Sequence, residues 1–170
     1  MKIEGPVVVN RRGEARIARG HPWIFRSDVV SDGGATPGAL VRVADPRGRP
    51  LGFAFWSSRS EIRLRMVERG GSLSETWLRD RVEQAIAWRR GVAAGADAYR
   101  VVHGEGDGLP SLIVDRYEDH LVIQTLSQGT DRAKAEIVSL LVDLLDARGV
   151  LERNDPKVRS LEGLEQTVSV

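Results

Sequence analysis

The 170-residue sequence contains no cysteine. Disulfides, thiolate metal sites and any cysteine nucleophile are thereby excluded, and a reducing, cytoplasmic setting is the expectation. Histidine is scarce as well. His21, His103 and His120 lie far apart, without the short spacing that brings two imidazoles onto one metal, so no metal site is expected. No serine sits in a nucleophile elbow, and no Ser/His/Asp order stands out. No apolar run approaches the ~18 residues of a membrane span. Met1-Lys2-Ile3-Glu4-Gly5-Pro6 has no apolar stretch behind its lysine, which argues against a signal peptide. Repeats and low-complexity tracts are absent. What is present is 41% hydrophobic and 29% charged residues, enough for packed cores in one large domain or two small ones.

The net charge of +1 conceals an asymmetry. Residues 1–70 carry 13 Lys/Arg against 7 Asp/Glu, and residues 71–170 carry 12 against 17. Such a split suggests a part that faces nucleic acid and a part that does something else. The basic half has a focus, Arg11 to Phe25. Ala15, Ile17 and Ala18 suggest a short helix, with Gly20 placed to end it. Arg12, Arg16 and Arg19 fall at i, i+4 and i+7 and share one face. His21-Pro22 then forces an extended path, which Trp23 and Phe25 are expected to anchor in a core. A cationic ridge on a fixed support suits a phosphate backbone. The same pattern also describes a solvated helix face beside a core tryptophan. The RNA-contacting candidates are Arg11, Arg12, Arg16, Arg19, His21 and Arg26.

In chain order, Val7 to Val9, Ala39 to Ala44, Leu51 to Trp56 and Glu61 to Glu68 read as short strands separated by Gly- and Pro-rich turns. With one small helix they predict a small β-barrel over residues 1–70. Gly70-Gly71 marks the expected boundary. Ser72 and Glu75 have capping-box spacing, ahead of a helix running to about Arg90. Leu78, Val82, Ala85 and Ile86 form its apolar stripe, and Trp77 and Trp88 widen it. Strands at Tyr99–His103, Ser111–Tyr117 and Leu121–Leu126 follow. Asp131 can cap a helix over about 132–147 that Gly149 closes, and Val150-Leu151 opens another strand. Residues 71–170 thus read as an α+β domain with helices packed on a small sheet. The fold class is mixed, a small β-barrel followed by an α+β domain, with no complete Rossmann domain.

Gly104-x-Gly106-x-Gly108 has the outline of a nucleotide-binding turn. Such a turn needs a helix N-terminus after it, and Leu109 to Val114 reads as a strand instead. A hairpin with Asp107-Gly108 at its tip explains the stretch better. Glu105, Asp107 and Asp115 are close enough in sequence for a carboxylate pair or a weak Mg²⁺ site, but acidic residues in glycine loops also serve simply as turn formers. No catalytic residue is assigned.

Three stretches carry a family resemblance. Arg19-Gly20-His21-Pro22-Trp23-Ile24-Phe25 resembles the start of a PUA domain in bacterial large-subunit rRNA cytosine-5 methyltransferases of the methyltransferase I type. Residues 99–117, Tyr-Arg-Val-Val-His-Gly-Glu-Gly-Asp-Gly-Leu-Pro-Ser-Leu-Ile-Val-Asp-Arg-Tyr, and residues 152–164, Glu-Arg-Asn-Asp-Pro-Lys-Val-Arg-Ser-Leu-Glu-Gly-Leu, are similar to the same family. The resemblance implies a PUA barrel, a central α+β domain that is incomplete at its C-terminus here, and a separate S-adenosylmethionine domain outside these residues. Family chemistry needs a thiolate that attacks cytosine C6, and no cysteine stands here. The chain is therefore expected to bind no cofactor itself and to be inactive alone, S-adenosylmethionine being implied only for an intact family member. The implied partner is RNA, specifically rRNA, with no membrane involved and a homodimer allowed. The alternative is a protein–protein or dimerisation module that uses Trp77, Trp88 and the Leu140–Leu145 face.

Overall fold

A computed structural model describes all residues, 1–170. The apolar runs of the first seventy residues become β1 (Ile3–Val9), β2 (Trp23–Phe25), β3 (Val29–Ser31), β4 (Leu40–Ala44), β5 (Pro50–Trp56) and β6 (Ile62–Arg69). They form one sheet in the order β2-β6-β5-β4-β1-β3, antiparallel throughout except where β1 runs parallel to β4. The edge strands β2 and β3 are joined by a single 3₁₀ turn, Arg26–Asp28. Three residues reach only about 10 Å, so the edges must approach each other and the sheet must curl. The result is a half-barrel. Side-chain alternation fills its interior with Val7, Val9, Ile24, Val41, Val43 and Leu64, sealed by Ile17 from α1 (Arg11–Ala18).

The second half holds α2 (Trp77–Val92), then β7 (Ala98–His103), β8 (Leu112–Tyr117) and β9 (His120–Thr125) as an antiparallel meander. Next come α3 (Gln128–Arg132) and α4 (Lys134–Leu145), which cross over to β10 (Gly149–Asn154), parallel to β9. A short α5 (Val158–Leu161) leads to β11 (Thr167–Ser169), antiparallel to β10. The larger apolar cluster joins this layer to the outside of the half-barrel. Leu40, Phe53, Phe55 and Val67 pack with Trp77, Leu78, Val82, Leu112, Ile137 and Leu141. The central strands β4, β5 and β6 therefore bury both faces, one inward and one against the second half.

Several sequence expectations change. The Ser72–Glu75 capping box does not form. The helix starts at Trp77 behind Thr76, whose hydroxyl donates to Asp80 at 2.9 Å, because burial of Trp77 and Leu78 sets the first turn. Trp88 is 67% exposed rather than part of the apolar stripe. The helix expected over 132–147 is two helices, and the first starts at Ser127, which forms a capping box with Thr130. Asp131 is not the cap; its carboxylate accepts from Thr125 and from Arg159, each at 2.9 Å. Asp146, in a left-handed conformation, ends α4 three residues before Gly149. The dimerisation face is largely spent on the core, since Trp77, Leu141 and Leu145 are buried. No helix is long and apolar enough to cross a membrane.

Candidate nucleic-acid interface

The predicted ridge is a real helix with defined ends. Asn10 Oδ1 accepts the backbone N–H groups of Arg12 and Gly13, both at 3.0 Å, and so satisfies two of the orphan donors of the first turn. Gly20 adopts φ +83° after the last turn, where a side chain would be strained. Gly13 is buried: a Cβ there would come within 2.9 Å of Val9 and 3.3 Å of Asp28. That close approach lowers α1 onto the barrel and sets Arg12 and Arg16, four residues apart, above Asp28.

Asp28 is fully buried. Arg12 Nε donates to its Oδ1, and Arg12 Nη2 donates to Ser27 Oγ at 2.6 Å. Arg16 Nε lies 2.9 Å from Oδ2 without the alignment of a hydrogen bond, so the two make an ion pair. The Arg16 guanidinium also sits 4.9 Å from the Phe25 ring centroid, a cation–π distance. A buried carboxylate needs such partners. Two of the ridge arginines are therefore committed to the fold. Arg11 and Arg19 are exposed and enter none of the ion pairs. Arg26 is exposed and faces Glu61 at 3.5 Å. The structure thus brings Arg12 and Arg16 together on one carboxylate and leaves Arg11 and Arg19 facing solvent.

Trp23 and Phe25 are not core anchors. Ile24 between them fills the interior, while both aromatic rings are half-buried on the opposite face of β2, as alternation requires. His21 joins them, its ring centroid 6.2 Å from Trp23 and 6.1 Å from Phe25. Its Nδ1 accepts the Trp23 backbone N–H at 3.0 Å. A short aromatic row therefore runs beside the arginine helix. This pairing of π faces with cations serves single-stranded nucleic acid.

The glycine turn is part of the same neighbourhood. Gly104–Asp107 form a 3₁₀ turn that leads into β8 and not into a helix. The strand–turn–helix cradle for a pyrophosphate is not formed, and the turn does not fit S-adenosylmethionine in that way. β7 and β8 pair antiparallel, so Asp107 and Gly108 do lie in the loop of a hairpin, one longer than a two-residue turn. The Asp107 carboxylate grips Arg89 through two bonds, of 2.5 and 2.8 Å, and takes the His103 N–H at 2.6 Å. Glu105 accepts the Trp23 indole N–H at 2.7 Å. Asp115 pairs with Arg100 at 2.8 Å, and that hydrogen bond, against the opposing effect of burial, raises the Arg100 pKa above its ordinary value. The three carboxylates are held apart by separate partners, and no group of three His, Asp or Glu gathers to hold a metal.

Sequence reasoning missed three residues. Asp28 organises the ridge, and Arg65 and Glu162 join Glu105 in linking the halves. Arg65 Nη2 donates to the fully buried Glu162 at 2.8 Å, with Nη1 4.0 Å from Glu105. An arginine at an alternating strand position gave the one available hint, since a charge there must be exposed or paired.

Comparison with known proteins now places the chain. Residues 7–69 match the family of PUA-like domains. Ribosomal RNA large subunit methyltransferase I of Klebsiella pneumoniae is 35% identical over 164 residues, covering 94% of this chain and 41% of that protein. The protein of the same name from Shigella boydii is 34% identical over 169 residues, covering 96% of this chain and 43% of its own length. The chain is similar to the N-terminal part of such methyltransferases. It spans about two fifths of the length of these relatives. A Streptococcus mutans protein described as a SAM-dependent methyltransferase shares the fold, with a TM-score of 0.73 at 18% identity over 90% of this chain and 40% of that one. The PUA-like domain holds the arginine helix and the aromatic row; the glycine turn lies outside it.

Proposed function

We propose that this chain is the RNA-recognition portion of a SAM-dependent rRNA (cytosine-5) methyltransferase, with residues 1–70 as the docking barrel and 71–170 as its central α+β support. The observation that carries the reading is the solvent-facing pair Arg11 and Arg19 beside the His21–Trp23–Phe25 row, on a PUA-like domain whose named relatives act on ribosomal RNA. Cations supply sequence-independent attraction to phosphates, and half-exposed rings offer faces for unpaired bases. Methyl transfer and S-adenosylmethionine belong, on this reading, to the longer protein. The test is the affinity of the chain for an rRNA fragment across a salt series. The expected result is a linear fall of log K with log[salt], with a slope of several units at ~0.7 per single-strand phosphate contact. A flat response sinks the reading and favours a protein-binding module.

A further inference from the structure

An open cleft of about 620 Å³ lies between the end of β6 and α2. This is within the ~300–1,000 Å³ range of ligand sites. Its helical wall is built from Arg81, Gln84, Ala85 and Trp88, spaced i, i+3, i+4 and i+7 and therefore on one face of α2. Its floor is the Gly104–Asp107 turn, fixed in place by the double bond of Asp107 to Arg89. Trp88 is the exception among the four tryptophans. Trp56 and Trp77 are buried, and Trp23 spends its N–H on Glu105, whereas Trp88 is 67% exposed. A large ring exposed on the wall of a cleft presents a face on which a planar group can stack.

The charges of the cleft limit what can bind. Arg81 is paired with Glu68 at 2.9 Å and Arg89 with Asp107. The Arg69 guanidinium enters no ion pair and donates to the Gly20 carbonyl at 2.5 Å, while its backbone N–H donates to Glu68 Oε1 at 2.9 Å. Arg69 is thus the one lining arginine without a carboxylate partner for its guanidinium, while Glu105, also in the lining, faces Arg65 at 4.0 Å; one such cation is too few to track a duplex backbone and enough for one phosphate. Gln84 is exposed on the same helix face and carries both an amide donor and a carbonyl acceptor, the groups that read a base edge.

We propose that this cleft receives a single unpaired nucleotide of an RNA strand, with its base stacked on Trp88, its edge met by Gln84 and its phosphate held by Arg69. The inference rests on the RNA-recognition reading and adds to it a second contact point, separate from the arginine helix. Gly20 and Pro22 connect the two places, since Gly20 receives Arg69 and Pro22 lines the cleft. A strand docked on α1 can thus continue into the cleft.

The test uses the whole chain, with short single-stranded oligoribonucleotides and a blunt duplex of the same sequence as probes. The single strand is expected to quench tryptophan emission. Trp88→Ala should remove the share of that quenching that does not come from Trp23 of the aromatic row, and weaken single-strand binding about five- to hundredfold, the range of one base–aromatic stack. Trp88→Phe should restore most of the affinity, and duplex binding should be the same in both variants and the parent. Arg69→Ala should lower the single-strand salt slope by ~0.7. Equal single-strand affinity of Trp88→Ala and the parent overturns the cleft proposal while leaving salt-dependent rRNA binding intact. If the parent binds no RNA at any salt, both readings fall. Because Trp88 is exposed, an unchanged melting curve is expected for its variants.

Discussion

The indole Nε1 of Trp23 donates a 2.7 Å hydrogen bond to Glu105, 82 residues further along the chain. It ties the edge strand of the half-barrel to the glycine turn of the second half, beside the ion pair of Arg65 with Glu162. Such a tie fixes the aromatic row relative to the cleft. Trp23→Phe removes the N–H donor together with part of the half-buried ring and should cost at least about 1 kcal/mol. Glu105→Ala leaves the indole unpartnered and should cost about 1–3 kcal/mol. Because the two groups touch, the double variant should cost less than the sum of the singles. Urea midpoints of the four proteins check this; strict additivity would show that the contact contributes nothing.

A second cross-link titrates. Glu152 on β10 accepts from Lys134 at 2.6 Å and from Asn154 at 2.5 Å. Burial pushes its carboxyl upward, but those two hydrogen bonds and the lysine charge outweigh it and hold the pKa below its ordinary value of 4.5. A carboxylate whose pKa is lowered by folding stabilises the folded state above its unfolded pKa, and that contribution is lost as pH falls through the folded value. The chain should therefore lose stability below about pH 4.5 more steeply than Glu152→Gln does. Denaturation midpoints from pH 7 to pH 3 measure this, and parallel curves for the two proteins would remove Glu152 from the acid response.

The sequence made the strands legible because their apolar residues alternate. Leu64 and Met66 do face the barrel interior, and Val67 does face the second half. Helix α1 was legible too, from Ala15, Ile17 and Ala18 and from Gly20. The partners were not. Nothing local to Arg12 and Arg16 says that a carboxylate twelve to sixteen residues later will be buried beneath them. Nothing local to Trp23 says that its ring will lie on the outer face of a three-residue strand. Element starts went astray for the same reason: Ser72-Glu75 is a sound local cap, but the burial of Trp77 decides where α2 begins. Long-range ion pairs and the two-sided burial of the central strands β4, β5 and β6 are tertiary facts, and single-chain periodicity does not encode them.

The division of labour along α1 follows from Asp28. Arg11 and Arg19 carry free charge, whereas Arg12 and Arg16 neutralise a buried carboxylate. Replacing Arg11 and Arg19 together by alanine should leave stability within about 0.5 kcal/mol of the parent and lower the RNA salt slope by about 1.4, two single-strand phosphate contacts. Replacing Arg12 and Arg16 together should instead strand Asp28 without a counter-charge and destabilise the chain by about 3–5 kcal/mol. Asp28→Asn in that background should recover part of the loss, because it removes the uncompensated charge and keeps an acceptor. Salt series and denaturation curves on the same preparations separate the two roles. An unchanged slope after loss of Arg11 and Arg19 would show that phosphate does not contact this end of the helix, and the docking surface would then have to be sought on the aromatic row and the cleft.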